Sequence, residues 1–252
     1  MRPSARFIVL NIVGAALILL LGADWGGRTA ALAFEDVPAA LEAISPSVGA
    51  LYARQADGNM KFLCSATAIE RRGDDTMILT ANHCLEKGVA YSINFGDGLM
   101  RPLQAWMVPH YEADEESKQK YGEPVTDMAL FLMRGADVPL VPLAARATDT
   151  PGTRIVMVGY PLGVAKIAYE GIIAGRFDLA GNDLDGYLLL QIFGAPGSSG
   201  SAVVDVGTGR VIAVLVAAKQ APVGLPVIFA TPIEYRENLA LVREGEVGAQ
   251  WK

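Results

Sequence analysis

Along the chain, short apolar runs alternate with Gly, Pro and Asp, and the 3–4 residue spacing of an amphipathic helix is rare. Ten runs recur, at 47–52, 62–69, 77–79, 91–95, 128–133, 154–158, 167–173, 187–192, 202–206 and 211–216. Several are rich in Val, Ile or aromatic residues, and lengths of about 4–8 residues suit strands. Turn signals such as Asp57-Gly58, Asp97-Gly98 and Gly207-Thr208-Gly209 fall between them. The pattern therefore predicts an all-β protein, a sandwich or a barrel. Two stretches depart from it. Residues 34–44 predict a short helix, and residues 232–242 predict a C-terminal helix with Pro232 near its first turn. The charge cluster at 112–120 lacks apolar periodicity and reads as a solvated loop. Residues 139–151, bounded by prolines, read as a linker between two β units.

The first 33 residues follow a different logic. Arg2 and Arg6 form a positive start, residues 7–21 are apolar apart from Asn11 and Gly14, and Ala31-Leu32-Ala33 offers a small-x-small cut site. This reads as an export signal, residues 1–33, cleaved near Ala33. The other reading is an uncleaved signal anchor, with a membrane tether through residues 7–23. Either way residues 34–252 are expected outside the cytoplasm, periplasmic or secreted.

Composition narrows the chemistry. At 52% hydrophobic and 19% charged the chain is not a disordered linker. A net charge of −6 with no basic block excludes a phosphate-backbone binder, so no nucleic-acid partner is expected. The 2 His and 2 Cys would all be consumed by one structural zinc site. His83 and Cys84 are adjacent, however, and on an extended chain their side chains point opposite ways, so no metal is expected.

Three stretches carry candidate chemistry. Leu79-Thr80-Ala81-Asn82-His83-Cys84 places a histidine at a strand end, where its near-neutral pKa suits a general base. Alone it is equally a structural histidine. Thr126-Asp127-Met128 puts an acid at the start of an apolar run, in isolation a turn or cap residue. Gly194-Ala195-Pro196-Gly197-Ser198-Ser199-Gly200-Ser201 is by composition an ordinary Gly/Ser loop. It also has what a serine nucleophile needs: Gly197 can turn its amide inward and Gly200 lets the chain leave tightly. On that reading Ser199 is the nucleophile, and the Gly197 and Ser199 amides face the oxyanion.

Taken together, His83, Asp127 and Ser199, in that order, within Thr-Ala-x-His-Cys and Gly-x-Ser-Gly-Ser frames, resemble the triad of a chymotrypsin-fold, trypsin-like serine protease. Ser45-Pro46-Ser47-Val48, Gly159-Tyr160-Pro161-Leu162-Gly163, Gly171-Ile172-Ile173-Ala174-Gly175 and Phe229-Ala230-Thr231-Pro232-Ile233 are similar to the bacterial HtrA/Deg-like branch. That branch usually carries a PDZ domain after the protease domain. The 252 residues leave no room for one, so PDZ-based regulation is not expected. Ser198 stands where zymogen-type members carry an acid, so activation through a new N-terminus is not expected either.

The resemblance implies two six-stranded antiparallel β-barrels, about residues 45–138 and 152–231, with the site between them. It implies a Cys64–Cys84 disulfide and a serine endopeptidase acting on protein or peptide substrates without a cofactor. The pocket for the residue before the cut falls near Phe193, with Val214, Leu215 and Val216 along its wall. No acid lies among them, so cleavage after Lys or Arg is not expected. Two other readings remain: an inactive protease-fold binding module, and a non-peptidase acyl hydrolase, whose usual order places the serine first.

Overall fold

Val37–Ile44 (α1) is the first element of the computed structural model, which describes residues 36–86, 89–109, 127–135, 137–177, 186–220, 226–234 and 239–241. The signal segment 1–33, the charge cluster 112–120 and His110 lie outside these residues. Asp36 caps α1, accepting from the Ala39 N–H at 2.8 Å, and Pro38 sits in the first turn, where no amide is needed. Val37, Ala40 and Ile44 share one helix face and are buried.

The chain then enters a first barrel of Val48–Arg54 (β1), Met60–Arg72 (β2), Asp75–Thr80 (β3), Ala90–Asn94 (β4), Arg101–Pro109 (β5) and Ala129–Arg134 (β6). Their order is β5-β4-β1-β2-β3-β6, all antiparallel, and pairing of β5 with β6 closes it. The second barrel follows: Arg154–Gly159 (β7), Ile167–Arg176 (β8), Leu188–Gln191 (β9), Ala202–Asp205 (β10), Arg210–Gln220 (β11) and Pro226–Pro232 (β12). It closes in the order β10-β11-β12-β9-β8-β7. Leu51, Ile78, Ile93 and Phe131 are buried in the first barrel; Ile155, Met157, Ile173 and Leu188 are buried in the second. Residues of β3, β7 and β10 are buried on both faces, which explains their nearly unbroken apolar sequence. The helix α1 packs against β7 of the second barrel although it leads directly into β1 of the first.

Between the barrels, the chain from 137 to 153 is pinned to both. The Val141 N–H donates to the Ala68 carbonyl on β2 (3.0 Å), and the Ala144 N–H to the Val211 carbonyl on β11 (2.9 Å). Farther on, Glu234 accepts from the Ala147 N–H (2.9 Å) and from Arg176 (2.7 Å).

The expected C-terminal helix is not formed. Strand β12 runs through Pro232, and Leu239–Leu241 is a short strand (β13) antiparallel to Met107–Pro109 of β5. β4 pairs only with 101–103 of β5, so the far end of β5 has backbone groups that a passing strand can satisfy. That pairing overrides a weak helical preference. Among the described residues the only α-helix is therefore N-terminal, and no helix is long and apolar enough to cross a membrane.

Candidate active site

Strands β3 and β6 bring the histidine and the acid together. They pair with Thr80 opposite Ala129, so His83, three residues beyond one end, meets Asp127, two residues before the other. His83 sits in a 3₁₀ turn, Asn82–Cys84. Its Nδ1 lies 2.6 Å from Asp127 Oδ2, and its backbone N–H donates to Asp127 Oδ1 at 2.8 Å. Both carboxylate oxygens therefore hold one residue. A carboxylate only accepts, so Nδ1 carries the hydrogen and Nε2 has a lone pair for a proton. The Asp127 side chain is 13% exposed and that of His83 44%, which leaves the ring accessible and its anchor shielded.

Two further contacts fix this turn. Cys84 is bonded to Cys64 of β2, 20 residues earlier. The Tyr91 hydroxyl accepts from the Glu86 N–H (2.8 Å) and donates to the Glu86 carbonyl (2.5 Å). Burial pushes the Tyr91 hydroxyl up to about 12, so it remains a donor at neutral pH. Cys64, His83 and Cys84 lie close enough to suggest a metal cluster, but the disulfide removes both thiolates and a metal does not fit. Reducing the disulfide is expected to lower unfolding free energy by about 3 kcal/mol, from the closure of a loop of this length. Urea unfolding with and without reductant measures it; coincident midpoints would contradict it.

The loop before β10 supplies Ser199. The Ser198 N–H donates to the Ala195 carbonyl (2.9 Å), the Gly200 N–H to Leu215 (2.8 Å) and the Ser201 N–H to Ser198 (3.1 Å). Among the described residues the N–H groups of Gly197 and Ser199 have no acceptor. Gly197 has φ +91°, and a Cβ there would press on the Tyr160 carbonyl and the Phe62 ring. Gly200 rests against the Ser65 carbonyl, Thr80 Oγ1 and the Ala81 amide, so the Ser199 segment abuts the residues just before His83. The Ser199 hydroxyl itself donates to the Val216 carbonyl at 3.4 Å, not to the His83 ring. The histidine–aspartate pair and the loop with the Ser199 hydroxyl and two unpartnered N–H groups thus approach each other where Gly200 meets Thr80 and Ala81.

The family model described as a trypsin-like peptidase domain matches residues 64–214, a span that holds all of these groups. The chain belongs to that family. No curated protein matches the sequence. Among solved structures, the serine endoprotease from Yersinia pestis superposes with a TM-score of 0.59 at 20% identity, over 79% of this chain and 62% of that one. The HtrA-type protease AlgW bound to a decapeptide gives 0.59 at 22% identity, over 77% and 63%. AlgW with a tripeptide gives 0.58 at 24%, over 77% and 59%. The trypsin-like chain thus shares their fold and spans about three fifths of their length.

Within this trypsin-like fold the expected pocket residues separate. Val214, Leu215 and Val216 are buried in β11, whereas Phe193 is 57% exposed with its ring 5.4 Å from that of Tyr169. Gly194 looks onto Ile228 and Leu215, both buried, and Ile228 was not among the residues expected there. Ser65 was also missed. Its hydroxyl accepts from the Tyr160 N–H (2.8 Å) and donates to the Gly197 carbonyl (2.8 Å), and its own N–H donates to the Ser199 carbonyl (2.9 Å). No local signal distinguishes it from any small residue in a strand.

Proposed function

We propose that the protein is an exported serine endopeptidase in which Ser199 attacks the peptide carbonyl, His83 is the general base and Asp127 orients His83. The observation that carries this reading is the double engagement of Asp127 by His83, which leaves Nε2 to accept a proton. In the reaction the Ser199 hydroxyl turns from Val216 to Nε2 and gives up its proton as Oγ bonds to the carbonyl carbon. The Gly197 and Ser199 amides receive the oxyanion, and the proton then passes from Nε2 to the leaving amine as the C–N bond breaks. Water attacks the acyl-enzyme by the same proton route. No cofactor enters these steps.

Peptide substrates are supported by AlgW, a protein of the same fold solved with a decapeptide. The apolar surroundings of Gly194, with Leu215 and Ile228, favour a small or branched apolar residue before the cut over Lys or Arg. Residues 1–33 are the export signal or an anchor, and the disulfide is consistent with an oxidising compartment. The contact from Ser199 to Val216 favours one competing reading, an inactive binding module of the same fold. A fluorophosphonate probe separates the two. The full chain is expected to take one adduct, on the peptide containing Ser199. An unreacted chain, or an adduct elsewhere, would overturn the proposal.

A further inference from the structure

Ser65 is fully buried in β2, and its hydroxyl touches both the loop that carries Ser199 and the turn beside it. We infer that Ser65 is a positioning residue, which sets the aim of the Gly197 and Ser199 amides from behind; the inference rests on the endopeptidase reading. The peptide between Pro196 and Gly197 is trans, so its N–H points opposite its carbonyl. That carbonyl accepts from the Leu162 N–H at 2.6 Å, which directs the Gly197 N–H away from the Tyr160–Leu162 turn. The next carbonyl, that of Gly197, is held by the Ser65 hydroxyl, and the carbonyl of Ser199 by the Ser65 amide. Ser65 thus holds the peptide planes on either side of the Ser198–Ser199 peptide, and the carbonyl of that peptide accepts from the Ser201 N–H (3.1 Å), so the planes that carry the two amides are fixed through their neighbours.

The turn needs fixing as well. Leu162 has φ +56°, the only positive φ of a non-glycine among the described residues, and its side chain is left 67% exposed. A leucine holds this conformation only where its surroundings impose it. The Gly163 N–H closes the turn onto the Tyr160 carbonyl (3.1 Å), and the Tyr160 N–H ends on Ser65 Oγ. One hydroxyl thus joins the strained turn to the loop it braces. Thr80 Oγ1 donates to the Ser65 carbonyl (2.8 Å) and holds Ser65 in turn. None of these contacts reaches His83 or Asp127, so loss of the hydroxyl should disturb the oxyanion donors and leave the proton-transfer pair alone.

The test is Ser65→Ala in the full chain, assayed on a peptide substrate beside the wild type. The expected result is a fall in kcat of about 10–100-fold, with KM within about twofold, because misaimed donors cost less than the removal of one. The pH profile of kcat/KM should keep its shape, and near-ultraviolet circular dichroism should match the wild type. An unchanged kcat overturns the inference. So does a loss of rate that only tracks the fraction folded, or a variant that does not fold, since either would make the hydroxyl a stability element. A wild type that neither hydrolyses peptides nor takes the fluorophosphonate would overturn the endopeptidase reading, and this inference with it.

Discussion

Ser199→Ala is expected to lower kcat by about 10⁴–10⁶-fold and to leave thermal unfolding nearly unchanged. Among the described residues the hydroxyl makes only one long contact, to the Val216 carbonyl, so its removal breaks no strong bond there. His83→Ala should lose nearly as much, and the double variant little more, because members of a proton-transfer chain act as a unit. Asp127→Asn should also lose most of the rate. An amide nitrogen facing Nδ1 would favour the wrong tautomer. Steady-state kinetics on a peptide substrate measure all four. Ser198 is the informative control: it is fully buried, and its hydroxyl accepts from the Ala195 N–H. An inert Ser198→Ala with an active Ser199→Ala would reverse the assignment.

The second large effect is on the fold. At Gly200, φ is +83°, and an added Cβ would stand under 3.0 Å from the Ser65 carbonyl oxygen and Thr80 Oγ1. The carbonyl is backbone, and the hydroxyl is engaged with that same carbonyl, so neither can yield cheaply. Gly200→Ala therefore combines left-handed strain with overpacking and is expected to cost about 3 kcal/mol or more, with loss of activity. Gly58→Ala isolates the first of these terms. Gly58 has φ +85° with nothing within 4 Å of the new Cβ, so only about 1–2 kcal/mol is expected. Urea unfolding of both variants checks the difference. Equal losses would mean that the contact of Gly200 with Ser65 and Thr80 carries no weight.

How much of this was legible in sequence depended on whether a feature is local. Runs such as 77–79 and 211–216 are apolar and β-branched enough to identify themselves, and they lie in β3 and β11. Strand β5 was not legible because Pro102 and Pro109 mark its ends as turns and Gln104 interrupts its apolar pattern. The stretch after Pro232 misled for the opposite reason: Leu239–Leu241 has no strand pattern of its own and is recruited by β5. Around the site, the frames holding His83 and Ser199 are contiguous and could be read directly. Ser65 could not, since its hydroxyl bonds reach residues 95 and 132 positions away. Neither could the conformation of Leu162, because sequence would assign the left-handed position to Gly163 alone, and both adopt it.

The division of strands has a kinetic corollary. All six strands of the first barrel lie between Val48 and Arg134, and all six of the second between Arg154 and Pro232. Each can therefore collapse on contacts made within its own stretch of chain, without waiting for the other. His83 and Asp127 can pair as soon as the first has closed, but the segment carrying Ser199 is held in place by Ser65 and Thr80 across the boundary. Competence should then be the last property acquired during refolding, later than the recovery of β-sheet dichroism. On the endopeptidase reading, a chain caught half-folded would be inert, and so unable to digest its own unfolded neighbours while they are most vulnerable.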